Sequence, residues 1–336
     1  MSWPHGTVGQ TGSFTSPSAR GRAWKLLVKW ALAGVVVVLV GRALVDLLGQ
    51  VEWRRVAPDP PTLVLAVALY GVYVAAFATG LLLSGRALGV RAAASDGLLA
   101  ATVPQLFKYV PGKVATVAAA SVYMARSGDG AARAVGAVLL AILCNLAGGV
   151  AALLTAGIPA MLVSGQWRLL IAAAGGVIVG LVVLHPAVLN RVLRGLSRLV
   201  RRDMPRITFA FGAIVGIVAI QCVGWLALGG AYVAMSTSLM DLDAGAALAV
   251  TACVPASIVA GFVTLISPSG LGVREGAMLL LLSPIIGAVN ASLLAVFGRC
   301  MQTVLEVLFA CAALVLFGRW KGPDACQRNK LTESEQ

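Results

Sequence analysis

Charge is the scarcest property of this chain. Only 12% of its residues are Asp, Glu, Lys or Arg, about half the share of an ordinary soluble domain. Histidine is nearly absent: His5 and His185 are the two, and neither has a set of ligands close in sequence. The six cysteines, Cys144, Cys222, Cys253, Cys300, Cys311 and Cys326, form no C-x-x-C pair. Five of them lie within apolar stretches and read as small buried hydrophobes. No nucleophile elbow, phosphate-binding loop or metal-ligand spacing occurs. The expectation is therefore a protein that is not an enzyme, with no catalytic residues, no metal and no cofactor.

What is abundant is apolar surface, at 59% hydrophobic residues over 336 positions. No aqueous fold of this size hides that much, so the bilayer is the solvent. The formal net charge of +13 would suggest nucleic acid in a soluble protein. Here the cations cluster between apolar runs, which is topology rather than nucleic-acid binding.

Six runs are long enough to span: about 26–48, 62–84, 134–157, 167–184, 207–235 and 289–318. Residues 1–22 form a disordered tail rich in Ser, Gly and Pro, 23–322 a single membrane domain, and 323–336 a second tail. Two segments break differently. Segment 93–125 holds two apolar pieces of about 20 Å each, too short for a core of roughly 30 Å, around Lys108–Lys113. Segment 244–283 breaks around SPSGLGVREG (267–276), although 244–267 alone is long enough to span. Both read as helix hairpins interrupted by Pro and Gly, one entered from each side. The expected fold is thus all-α, a polytopic helical bundle of about six spans plus two re-entrant or broken hairpins in an inverted repeat.

Charge supports an orientation. With both termini inside, Arg54, Arg55 and Arg168 alone lie outside, whereas the loop 185–206 carries Arg191, Arg194, Arg198, Arg201, Arg202 and Arg206. This is the positive-inside bias of a bacterial cytoplasmic (inner) membrane protein. Some charges remain at membrane depth. Lys108, Lys113, Arg274, Glu275, Arg299 and Glu306 would together cost on the order of 15–20 kcal/mol if each faced lipid. They must face one another or a cavity. Arg299, Gln302 and Glu306 recur at i, i+3 and i+7, one stripe of one helix. Arg299 with Glu275, or Arg274 with Glu306, are the natural pairs. Four cations against two acids suit an anion. Arg42 and Asp46 form a local pair, and Asn145 and Gln221 read as interhelical hydrogen bonds. Gly176/Gly180 and Gly212/Gly216 have the small-residue spacing of close helix packing.

The residues at the two breaks resemble a known family. FKYVPGKV (107–114) is similar to the (K/R)Y-(L/I/V)-PG-(K/G) signature, and SPSGLGVREG to the PGGLGVRE signature, of the lysylphosphatidylglycerol synthase transmembrane-region family, also called flippase-like. The resemblance covers about 25–320. It implies a stand-alone membrane member that moves lipid between leaflets. It also implies a headgroup site of Lys108, Tyr109, Pro111, Gly112, Lys113, Pro268, Gly270, Gly272, Arg274 and Glu275, to which the polar stripe adds Arg299, Gln302 and Glu306. Ser269 departs from the family's Gly, and Cys144-Asn145 stands where many members carry Glu-Arg. Both departures bear on the headgroup. Only a short tail follows the last helix, so aminoacyl transfer is not expected of this chain.

The function expected is translocation of an anionic-headgroup lipid, a phospholipid or polyprenyl-phosphate-linked intermediate, through a cationic midplane cavity. The alternatives are a secondary transporter of a small anion, or a membrane partner of a glycosyltransferase or lipid synthase. The partners expected are the lipid itself, a lipid-modifying enzyme and a second copy of the chain.

Overall fold

A computed structural model describes residues 59–107, 114–164, 211–237, 239–263, 270 and 272–318, with isolated helical positions between 171 and 195. The expected span at 26–48, the Arg42/Asp46 pair and both tails lie outside the described residues, as do most of 167–184 and most of the basic loop 185–206. Everything described is helix or a short connection. The elements are α1 (Pro60–Ala87), α2 (Ala94–Thr102) continued by a 3-10 turn (Val103–Phe107), α3 (Val114–Met124), α4 (Ala131–Ser164), α5 (Phe211–Ser236), α6 (Ala244–Val263), α7 (Val273–Ile286) and α8 (Ala288–Phe317).

Five helices are long and apolar enough to cross a membrane: Pro60–Ala87, Ala131–Leu162, Gly212–Ser236, Ala244–Phe262 and Ala288–Phe317. They follow from long Leu-, Val- and Ala-rich runs with punctuated ends, although Pro159 stands inside α4 and Pro255 inside α6. Pro60 and Pro61 open α1, where a missing N–H costs nothing. Their outward faces are as apolar as their inward ones: Val64 is 68% exposed and Val315 83%. In water that would be an aggregation surface. Against acyl chains it is the solvated face. The chain is a multi-pass membrane protein.

The bundle closes on itself. α1 packs along α5, α4 along α5 and α6, α6 against α7, and α7 against α8, which returns to α2. Small residues allow the closest approaches, but not all those the spacing suggested. A Cβ on Gly229 would lie 2.8 Å from the backbone of Thr251, and one on Gly224 2.7 Å from the Ala76 methyl. Gly176 does pack, against Val150 and Leu153. Gly212 and Gly216, in contrast, meet no atom of the described residues within 4 Å. Both are exposed positions in the first turns of α5. Spacing identifies a face of a helix but not which face has a neighbour.

The cysteines divide in the same way. Cys144 and Cys253 are buried, as expected, but Cys300 and Cys311 are exposed on the outer side of α8. In a membrane, apolar and buried are different conditions. With Cys326 replaced by Ser, a lipid-soluble maleimide is expected to label Cys300 and Cys311 at least tenfold faster than Cys144 and Cys253, read by mass spectrometry of intact vesicles. Equal labelling would place α8 elsewhere.

The first broken segment is a pair of short helices, as its length required. α2 has nine residues and α3 eleven, so neither alone crosses a core of roughly 30 Å. Their outer ends are tied together. Arg126 Nη1 lies 3.2 Å from Asp96 Oδ1, and the Arg91 backbone N–H donates to Asp129 Oδ2 at 2.6 Å. The segment therefore begins and ends at the same end of the bundle, beside the C-terminus of α1 and the start of α4. The later segment is unequal. α6 has 20 residues, about 30 Å of helix, whereas α7 has only 14. Gly287, at φ +82°, separates α7 from α8.

Candidate functional site

The polar centre is built at the start of α7. Gly270 and Gly272 hold φ of +69° and +84°, the left-handed region that side chains with a Cβ avoid. Gly270 also lies against α6, where an added Cβ would stand 2.9 Å from Gly261 Cα. This turn aims the first residues of α7 into the bundle. The Gly272 N–H donates to Glu275 Oε2 at 2.7 Å, so Glu275 caps the helix it belongs to. Its other oxygen, Oε1, accepts from Arg299 Nη1 at 3.2 Å. One carboxylate thus anchors the turn and neutralises a cation of α8.

The next residue back, Arg274, is 5% exposed. Its Nη2 donates to the Tyr232 hydroxyl and, at 2.6 Å, to Gln302 Oε1. Tyr232 OH donates in turn to Gln302 Oε1 at 3.0 Å, and Gln302 Nε2 donates to Glu306 Oε1 at 3.0 Å. The amide of Gln302 must point this way, because its oxygen faces two donors and its nitrogen a carboxylate. The expected Arg299–Glu275 pair is therefore present. Arg274 reaches Glu306 through Gln302. Residues 299, 302 and 306 do share a face of α8, and from it Arg299 and Gln302 bond to Glu275 and Arg274 of α7.

Tyr232 is the member that composition and spacing missed. It is 1% exposed and contacts α8 where Gly298 leaves room: a Cβ there would sit 2.2 Å from the ring. A tyrosine deep within an apolar run, far from the interfacial belts where tyrosines collect, was the available signal. Tyr70 and Tyr73 give the same signal. Tyr70 stacks edge-on against Phe309 at 5.3 Å, and Tyr73 against Trp225 at 5.6 Å.

These groups border a cavity of about 210 Å³ reached by every described helix. Arg274, Gln302 and Glu306 form its polar wall; Glu275 and Arg299 are not among its lining residues. Leu81, Val138, Ile142 and Phe309 make much of the remainder apolar. The two ends of the first broken segment reach it as well, through Gln105 and Thr116. Its motif residues Lys108, Tyr109, Pro111, Gly112 and Lys113, and Pro268 of the second motif, lie outside the described residues.

One expectation changes in weight. Among the described residues the centre holds two arginines and two glutamates and is formally neutral. The excess of positive charge expected there would have to come from Lys108 and Lys113, which lie outside the described residues. The interhelical role expected for Asn145 and Gln221 also shifts. Trp225 Nε1 donates to the Asn145 main-chain carbonyl at 2.8 Å, while Asn145 Oδ1 and Gln221 Nε2 are buried without a partner among the described residues. No group of three or more His, Cys, Asp or Glu is placed to hold a metal among the described residues. Searches against protein-family models and curated proteins return no match to this chain.

The double role of Glu275 yields a test. Reversing the pair, Glu275→Arg with Arg299→Glu, restores the charges but leaves the Gly272 N–H without its acceptor. The double variant is expected to remain less stable than the native protein by about 1–2 kcal/mol, the usual effect of losing a cap, read by thermal unfolding in detergent. Full rescue would reduce Glu275 to a simple counter-ion.

Proposed function

We propose that the protein is a flippase, translocating an anionic-headgroup lipid such as a phospholipid or a polyprenyl-phosphate-linked intermediate. The observation that carries this reading is the cavity, where a buried Arg274–Gln302–Glu306 ladder forms one wall and apolar side chains most of the rest. A buried arginine lining the cavity suits phosphate, and apolar walls tolerate the first methylenes of a tail. The first broken segment is a re-entrant hairpin, and 244–286 is its counterpart in an inverted repeat whose first half spans the bilayer. Lys108 and Lys113, in the sequence between α2 and α3, supply the positive excess that an anion requires. Both termini are cytoplasmic and the membrane is the bacterial inner membrane. The motifs at both breaks support membership of the lysylphosphatidylglycerol synthase transmembrane-region family.

The test is reconstitution. Vesicles with fluorescent-acyl phospholipids or polyprenyl phosphates, probed by dithionite quenching, are expected to exchange lipid between leaflets only when the protein is present. Absence of headgroup-dependent exchange for every anionic lipid tried would refute the reading. A second reading, a secondary transporter of a small anion, draws on the modest cavity volume. It predicts uptake of free phosphate or sulfate into the same vesicles without lipid exchange.

A further inference from the structure

The α2–α3 pair covers one side of the cavity, since Pro104, Gln105, Val117 and Ala120 are among its lining residues. How firmly the pair is held differs from one end to the other. At the end where it joins α1 and α4, large side chains fill glycine notches. Leu82 of α1 lies over Gly97, where an added Cβ would stand 2.6 Å from Leu82 Cγ. The buried Met124 reaches Gly85 of α1, where a Cβ would lie 2.8 Å from its Cε. The two connections are also bonded to each other. The Arg91 N–H donates to Asp129 Oδ2 at 2.6 Å, and Arg126 pairs with Asp96 beside them at 3.2 Å. Both chain segments entering the pair therefore meet in one joint. Gly89, Gly128 and Gly130 stand in that joint with φ of +75°, +81° and +98°. An added Cβ at Gly128 or Gly130 would meet no atom of the described residues within 4 Å, so the backbone there is not wedged in place.

Toward the cavity the hold weakens. Ala100, Ala101 and Ala120 of the pair share one cluster with Ala78 of α1 and Ala141 of α4. Methyl surfaces interdigitate little and slide past one another more easily than long side chains do. Further along, Leu99 and Val103 meet α8 at Ala313 in a small apolar seam. Beyond the seam Leu106, Phe107 and Val114 are already exposed. Parting the seam turns its residues toward acyl chains, which are as apolar as the partner they leave. The opening therefore forfeits packing but not hydrophobic burial.

We infer that the α2–α3 pair is a gate, hinged where it joins α1 and α4, whose swing parts α2 from α8 and opens the cavity sideways to lipid. What passes through it rests on the proposed lipid translocation; the hinge does not. The moving arms are the described helices α2 and α3. An arm of about 20 Å rotated by about 15°, an ordinary rigid-body amplitude, carries its far end about 5 Å.

Spin-label distances read the motion without a transport assay. Cys222, Cys300, Cys311 and Cys326 are replaced by Ser, and labels are placed on Leu106→Cys with Val223→Cys of α5, all in the full chain in lipid nanodiscs. Pulsed electron resonance is expected to show two distance populations separated by about 5 Å, the arm's displacement above. Labels on Ala93→Cys with Val223→Cys, at the hinged end, should show one. A lock supplies the second measurement. Val103→Cys with Ala313→Cys, joined across the seam by a short bis-thiosulfonate, should reduce the Leu106 distances to one population. It should also slow lipid exchange in vesicles at least tenfold, and dithiothreitol should reverse both effects. A single Leu106 population before locking, or two populations at Ala93 as well, would overturn the inference. So would a locked seam with exchange as fast as before. Should the seam variant fail to fold, the two distance measurements decide alone. Two populations in a protein that exchanges no lipid would leave the hinge standing and remove the flippase reading.

Discussion

Replacing Arg274 by Met is expected to abolish lipid exchange and to lower stability by about 3–5 kcal/mol, the usual result of removing one side of a buried charge network. The physical reason is the state of what remains. Tyr232 and Gln302 can still bond one another, but Glu306 would keep a negative charge in a buried site where the other described arginine of the centre, Arg299, pairs with Glu275. A second variant separates structure from function. Arg274→Met with Glu306→Gln returns the centre to neutrality and should recover most of the lost Tm. It should not recover exchange, because no guanidinium then faces the cavity. Arg274→Lys should give an intermediate result, since an ammonium keeps the charge but not the planar fork that reaches Tyr232 and Gln302 together. Exchange restored in the neutral double variant would show that the ladder is an internal brace and nothing more.

The second large effect is expected at Gly298, a residue without any polar group. An alanine there would put its methyl 2.2 Å from the Tyr232 ring, in a contact where the ring is 1% exposed. Neither partner can yield cheaply: the ring is fixed by α5 and the methyl by α8. Overpacking of this kind costs about 1–3 kcal/mol. The hydroxyl would also leave Arg274, a hydrogen bond to a charged group worth about 1.5–3 kcal/mol. Gly298→Ala should therefore resemble an Arg274 variant, with Tm well below native and exchange reduced at least tenfold. Tyr232→Phe in the Gly298→Ala background supplies the check. It should add little to the loss, because the hydroxyl is already displaced. Additive losses would mean that the ring accommodates the methyl in place.

Much of this was legible from the residues. Runs of Leu, Val and Ala longer than a bilayer is thick dictate helices, because lipid offers backbone groups no other partner. The short pieces around the first break could only be short helices. The period of 3.6 puts Arg299, Gln302 and Glu306 on one face whatever surrounds them. The cost of burying charge alone required that Arg299 find an acid, and Glu275 was within reach in sequence terms. These are local or energetic necessities, and a chain carries them in its order.

Other features required three dimensions. Gly212 and Gly216 had the spacing of a packing face but meet no described neighbour, while Gly229 and Gly298 carry the contacts. Cys300 and Cys311 are apolar in context and yet point outward. Tyr232 became part of the polar centre only when α5 crossed α8, and Glu275 was found to cap its own helix as well as to pair. Hydropathy reports that a residue avoids water. It does not report whether lipid or protein takes water's place, and in a bilayer that choice belongs to the packing of helices far apart in the chain.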